Sequence, residues 1–284
     1  MVSFSKAVVC MYVNDSDFLL KQRIKNMKYI TYSVVDQIAE ISLNHAPVNA
    51  LNIPMLVEIV AAFKAARDDD QVRAVILAST LPKRFCAGLD LDILLDETGK
   101  SVREFLDQLY IELADVQHTL GKPSIAAIDG AARAGGMTLS ISCNVIIASR
   151  SATFGYPEID VGMIPAIHFI HLPSIIGRHR AFEILFSGRV FHTQEALELG
   201  LVSQMVDDGT ALQAARVMAK MFASKSPNVM RMGHQAFMRI NDVGYRRDIG
   251  AVVDRFCAVA ASPDAKEGIS AFIEKRPPKW PSSN

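Results

Sequence analysis

The chain is short of everything that would tie it to a membrane, an oxidising compartment or a polyanion. No apolar run reaches the roughly 20 residues that a helical membrane span needs. The four cysteines, Cys10, Cys86, Cys143 and Cys257, are scattered and form no C-x-x-C pair. A disulfide framework or zinc knuckle is therefore not expected, and a reducing compartment is. Lys and Arg total 30 and Asp and Glu total 30, so the formal net charge is zero. That balance offers no field to draw nucleic acid or an acidic lipid surface. The expectation is a soluble, cytoplasmic protein with neither as a partner. Absent too are a G-x-G-x-x-G after a strand, a G-x-x-x-x-G-K-[ST] loop and a G-x-S-x-G elbow. His168 and His171 stand three apart, as metal ligands on one helix face sometimes do. No Glu or His at matching helical spacing completes a set, so they read as packing or capping residues.

What is present is a large supply of core. Half of the 284 residues are hydrophobic and 21% are charged, enough for one sizeable domain. Residues 1–26 read as an N-terminal extension: a short apolar run at 7–13, then Asp15 and Asp17, then Lys21, Arg23 and Lys25. It shows no small-residue cleavage pattern. From residue 27 strands and helices alternate. Ala39, Ile41 and Leu43 alternate with Glu40 and Ser42, the period of a half-buried strand. Asn52 can cap a helix with Pro54 in its first turn. Leu56, Ile59, Val60 and Phe63 then recur at helical spacing. The branched apolar run 74–78 predicts a strand covered on both faces. Phe105, Leu106, Leu109, Leu113 and Val116 form another helical stripe. Strands at 125–128 and 145–148 bracket a helix opening at Gly135.

After Gly162 the character changes. Segments 178–187, 193–199, 209–224, 228–240, 245–261 and 263–275 read as helix, with one strand at 202–206. The organisation predicted is an α/β core over 27–205 with a helical C-terminal region over 206–284. No low-complexity linker separates them.

Two turns share a design. One runs from Lys83 to Leu91 after the strand at 74–78, the other from Gly130 to Met137 after the strand at 125–128. Each leads from a strand end through small residues toward a helix, where backbone N–H groups lack internal partners. Small residues let a ligand oxygen approach those donors. Two donors converging on one carbonyl would make an oxyanion hole, although glycines also serve tight turns and close packing. Downstream stands one carboxylate in an apolar stretch, Glu158. It is the candidate acid/base, against the plainer roles of capping a helix or holding an arginine. Burial would raise its pKa, so that it could both take and return a proton. Asp160 shares the loop, but alternation points it the other way. Cys86 and Cys143 read as small buried residues.

The motifs P-V-N-A-L-N (47–52), F-C-A-G-L-D-L (85–91), K-P-S-I-A-A-I-D-G-x-x-x-A-G-G (122–136) and F-G-Y-P-E-I-D-V-G-M-I-P (154–165) stand in order. With A-K-E-G-I-S-A-F-I-E-K-R (265–276), they resemble the crotonase, or enoyl-CoA hydratase/isomerase, superfamily over roughly residues 28 to 280. The resemblance implies a spiral of strand–strand–helix repeats with a helical C-terminal region. It also implies a homotrimer or a dimer of trimers, and coenzyme A thioesters as substrates. No metal or separate cofactor is implied, since coenzyme A belongs to the substrate. The thioester oxygen would be held by two backbone N–H groups, at Ala87 and Gly135. Asp90 and Leu91 would contact the adenine end through their backbones. Lys83 and Arg84 are candidate phosphate partners, or solvated surface charges.

Departures from the family pattern bear on the reaction. Hydratases of the family commonly carry two glutamates; Thr138 occupies the place of the first and Glu158 that of the second. A threonine cannot act as a general base near neutral pH, although its hydroxyl can position water or substrate. One acid/base group over an enolate suffices to move a double bond, from a 3-enoyl to a 2-enoyl thioester. The aspartate that dienoyl isomerases use, eight residues after the later glutamate, is here Ala166. Residues 165–169 replace a glycine-rich stretch common in hydratases, reshaping the acyl pocket and placing His168 as a possible second acid/base. Three expectations therefore stand. The first is a double-bond isomerase using Glu158. The second is a hydratase or hydratase-lyase in which Thr138 or His168 places water. The third is a low-turnover acyl-CoA-binding protein.

Overall fold

Three times the chain runs strand, strand, helix, and each turn of this spiral adds one strand to each of two sheets. The structure, a computed structural model, describes residues 27–95 and 98–281; the expected extension at 1–26 lies outside them. An antiparallel pair opens it, β1 (Ile30–Val35) and β2 (Ile38–Leu43), followed by β3 (Ala50–Leu51) and helix α1 (Ile53–Asp68). Next come β4 (Ala74–Ser79), β5 (Arg84–Cys86) and β6 (Gly88–Leu89), then a 3-10 turn at Leu91–Leu95. Helices α2 (Lys100–Leu106) and α3 (Leu113–Thr119) are joined by a π-type turn at Asp107–Glu112. The second repeat is β7 (Ser124–Ile128), β8 (Ala131–Arg133) and α4 (Gly135–Ser142). The third is β9 (Val145–Ser149), β10 (Thr153–Gly155), a 3-10 turn at Pro157–Val161 and α5 (His168–Ile176). Then follow α6 (Arg178–Ser187), β11 (Val190–His192), α7 (Thr193–Glu198) and β12 (Gln204–Val206). The chain closes with α8 (Ala211–Ala223), α9 (Pro227–Asn241), α10 (Val243–Ala260) and α11 (Pro263–Ile273).

The larger sheet has the order β1-β2-β4-β7-β9-β12 and the smaller one β11-β10-β8-β5. From β2 to β12 neighbours pair in parallel, as repeated crossovers require. Alternation decides which residue faces which layer. Val75 and Leu77 of β4 enter the main core, whereas Ala74, Ile76 and Ala78 face the other side. That second face is roofed by α8, whose Ala211, Ala215 and Ala219 lie on Ile38, Ile76, Ile125 and Ile147. Three alanines one turn apart let the helix settle close on the branched strand residues. The helical C-terminal region is thus part of the sheet's own covering.

Local chemistry sets the ends of α1. Asn52 Oδ1 accepts the Met55 N–H at 2.8 Å, with Pro54 in the first turn, where a missing N–H costs nothing. At the other end Lys122 Nζ donates to the carbonyls of Ala66 (2.6 Å), Arg67 (2.9 Å) and Asp69 (2.7 Å). A half-buried ammonium thus satisfies carbonyls that the helix leaves open and complements the negative end of its dipole. Lys122→Met should therefore lower stability by about 2–3 kcal/mol, since it removes charged hydrogen bonds and strands buried acceptors. The check is the shift in the urea unfolding midpoint at unchanged slope.

Candidate active site

The two turns read from the sequence do meet, at the level of backbone atoms. A Cβ built on Gly88 would lie 2.7 Å from Ala134 Cβ and 3.2 Å from the Gly135 nitrogen, and Gly88 has φ +98°. Only glycine fits this position, and it brings the 85–91 turn directly against the amide that opens α4. Ala134, just before it, has φ 49° and ψ −117°, an uncommon conformation for a residue with a side chain. It aims the first turn of the helix: Met137 and Thr138 both donate to the Ala134 carbonyl, at 2.8 and 3.2 Å. The amides of Gly135 and Gly136, ahead of them, are those the helix leaves without an internal acceptor.

The partner donor is not where the motif puts it. The Ala87 N–H donates to the Val48 carbonyl at 3.0 Å, so it is spent inside the protein. The Gly88 N–H lies 3.5 Å from Cys86 Sγ, and the Asp90 N–H donates to the Leu51 carbonyl at 2.9 Å. Neighbouring N–H groups of an extended strand point opposite ways. With Asp90 directed at β3, Leu89 directs its amide away from β3. The Leu89 amide, not that of Ala87, is thus the candidate donor on the side of this turn that faces away from β3. The alternation could not be read in the sequence because Gly88, at positive φ, resets it.

Other residues of the first turn also find internal work. The Asp90 carbonyl accepts the Ile93 N–H and its carboxylate accepts the Asp92 N–H at 3.3 Å, so Asp90 starts the 3-10 turn rather than offering its backbone to a ligand. Leu91 is half-buried at the head of that turn. Lys83 and Arg84 are exposed, and the Lys83 backbone abuts Gly130. Cys86 and Cys143 are buried, their thiols pushed up to about 12 by that burial.

Glu158 arrives from a different direction. It stands in the 3-10 turn after β10, not at the end of the apolar strand β9. Helix α11 clamps this turn: a Cβ on Gly268 would lie 2.4 Å from the Val161 carbonyl carbon. Glu158 Oε2 is buried and meets no hydrogen-bond donor among the described residues. Burial pushes its carboxyl up to about 8, against the hydrogen bond from its own amide. Tyr110 and Tyr156 flank it; both phenols are raised first by burial and then by the Glu158 charge. The Tyr156 hydroxyl is likewise buried without a partner among the described residues. Tyr110 reaches this place on the π-type turn, which also carries Leu109 to within 3.3 Å of a Cβ built on Gly135. Asp160 is exposed.

Thr138 and His168 come together, a contact that a separation of 30 positions hides from sequence reading. Thr138 Oγ1 and His168 Nε2 are 3.3 Å apart, and His168 Nδ1 is 3.2 Å from His171 Nε2. His168 is fully buried with the Tyr156 ring edge-on at 4.4 Å. Burial holds both imidazoles neutral: His168 is well below its usual value, helped by His171, and His171 falls to about 4. No group of three metal-ligating side chains occurs among the described residues. A cavity of about 460 Å³ adjoins this chain, walled by Leu109, Gln117, Thr138, Ile167, His171 and Tyr245, among others. Leu109 and Thr138 make it continuous with the oxyanion turn.

This spiral, with two glycine turns in contact and a raised carboxyl whose Oε2 is buried, has counterparts among known proteins. Residues 34–283 match the enoyl-CoA hydratase/isomerase family model. The chain is 32% identical to a probable enoyl-CoA hydratase of Bacillus subtilis, over 89% of this chain and 99% of that protein. It is 32% identical to the crotonyl-CoA hydratase of Syntrophomonas wolfei, over 80% of this chain and 88% of that one. An enoyl-CoA hydratase/isomerase structure from Xanthobacter autotrophicus superposes with a TM-score of 0.78 at 28% identity, covering 88% of this chain and 98% of that one. The chain belongs to the enoyl-CoA hydratase/isomerase family and is an acyl-CoA-processing enzyme. No helix among the described residues is long and apolar enough to cross a membrane.

Proposed function

We propose that the enzyme shifts a double bond, converting a 3-enoyl-CoA into a 2-enoyl-CoA through a thioester enolate. The amides of Leu89 and Gly135 receive the thioester oxygen as charge settles on it. One such prepositioned donor is worth about 3–4 kcal/mol in a water-poor site. Glu158 takes the proton from C2 and returns it at C4. With its carboxyl near 8, only about a tenth is ionised at pH 7 in the free protein, but the acid so formed gives its proton back readily. The steps use only this chain's own groups.

The observation that carries this reading is the pairing of Glu158, its Oε2 buried and its carboxyl raised, with Thr138 where a second carboxylate would be needed to hold water. Hydration is the second reading. It is favoured by the Thr138–His168 hydrogen bond, which fixes a hydroxyl in that place, and by the hydratase names of the relatives. A low-turnover binding role is the third. Matched 3-hexenoyl-CoA and 2-hexenoyl-CoA separate them. Double-bond migration without net water addition is expected; hydration of the 2-enoyl thioester would overturn it in favour of the second reading. If neither thioester reacts, only the binding role survives. Exposed apolar residues along α9, Val229, Met232, Phe237 and Ile240, supply a surface for the expected trimer or paired trimers.

A further inference from the structure

Every acid/base step above runs through Glu158, yet a second set of proton-bearing groups touches the same place. Thr138 Oγ1, His168 and His171 make a continuous chain with gaps of 3.3 and 3.2 Å. One end, Thr138, lies three residues beyond Gly135 on α4; the other, His171, lies on α5, and both touch the wall of the cavity. The rim of that cavity includes Ser174 and Ser203, both exposed, so water reaches it. Between the ends His168 is fully buried, with no route for a proton except along the chain.

We propose that Thr138, His168 and His171 form a proton relay between a bound thioester and cavity water, with His168 and His171 as positioning residues. The contact between two neutral rings holds one proton, so the chain has two tautomeric arrangements. In the first, His171 Nε2–H donates to His168 Nδ1 and His168 Nε2–H donates to Thr138 Oγ1, leaving the Thr138 O–H turned outward. In the second every donor is reversed and Thr138 donates inward to His168. Passage from the first to the second delivers one proton. The enolate carbon takes the Thr138 hydroxyl proton, Thr138 takes the one on His168 Nε2, and His168 Nδ1 takes the one on His171 Nε2. His171 Nδ1 takes a proton from a cavity water, and the hydroxide left is neutralised by the proton that Glu158 releases to solvent. No ring becomes an imidazolium along the way. After the product leaves, the reverse passage restores the first arrangement: Thr138 takes a proton from water in the emptied site, each proton moves back one place, and His171 Nδ1 returns one to cavity water.

The relay deepens the enolate reading and rests on it, but it does not need the double bond to move. Glu158 Oε2 is buried within a partly exposed residue, so under a bound thioester a proton held there exchanges slowly and is released to solvent once the thioester leaves. The relay is the faster route by which solvent hydrogen reaches the enolate carbon. The test is α-hydrogen exchange of butyryl-CoA in heavy water, followed by proton NMR. Wild type should exchange, whereas His171→Phe and His168→Gln should exchange about tenfold more slowly or less. His168→Gln keeps a hydrogen-bonding partner for Thr138 but cannot pass a proton onward. Butyryl-CoA affinity, measured by calorimetry, should stay within about twofold in both variants, which separates a broken relay from a disturbed fold. Exchange at the wild-type rate in either variant, or none in wild type, overturns the proposal. Relay-dependent exchange without migration in 3-hexenoyl-CoA would sink the double-bond reading alone.

Discussion

Glu158→Gln is expected to cost about 10²–10⁴-fold in kcat for the 3-enoyl thioester. The same change should make the protein more stable. Gln keeps the shape of the side chain but cannot take a proton, so an enolate no longer forms beneath the open amides. In the wild type, kcat/KM should rise with pH, about tenfold per unit, and level off above about 8, where the carboxyl ionises. The stability effect follows from the same burial. The folded-state pKa lies above that of the unfolded chain, so the folded state holds its proton longer. Stability is therefore full below about 4.5, falls as pH rises, and stops falling beyond about 8. The Gln variant escapes that loss. Its unfolding free energy should exceed the wild type's by about 1–3 kcal/mol at pH 8.5 and match it at pH 4. Equal pH profiles of stability for the two proteins would show that the carboxylate is not desolvated as described.

Gly88→Ala should damage catalysis more than stability. The added Cβ is directed at Ala134 Cβ and the Gly135 nitrogen, at 2.7 and 3.2 Å, on a backbone with φ +98°. Neither side can yield alone, because Ala134 is already held in an uncommon conformation and the Gly135 amide starts a helix. Relief requires the two turns to part. Both amides of the proposed oxyanion site move with them, and loss of one such donor alone costs about 10²–10³-fold in kcat. The destabilisation should be smaller in proportion, about 2–4 kcal/mol from strain and overpacking. Steady-state kinetics beside a urea titration checks this. A variant that unfolds earlier yet keeps its kcat would show that the turns do not carry the charge.

Much of this site can be read before any coordinates exist, and the unread part has a definite cause. Glu158, Gly135 and the strands at 74–78 and 125–128 are visible because local spacing specifies them. Their burial is a consequence of alternation and of an uninterrupted apolar run. The choice between Ala87 and Leu89 is different. It depends on which way an amide points, and that is fixed by the Val48 and Leu51 carbonyls on another strand. Thr138 gives away its position in the helix but not its partner, since His168 returns to it only after a third repeat of the spiral. The π-type turn at 107–112 has no sequence mark within the stripe Phe105 to Val116. Yet it is what brings Tyr110 beside the carboxylate.

The clamp of α11 on the Glu158 turn gives the order of synthesis a meaning. Gly268 presses on Val161 from more than a hundred residues downstream, so α11 leaves the ribosome well after the turn it supports. The strands of both sheets and the glycine turns precede α11 in the chain, so they emerge before the carboxylate's support does. A nascent chain would therefore carry a nearly finished spiral with its acid/base turn unsupported. The Glu158 turn gains its packing partner only once α11 has folded back onto it.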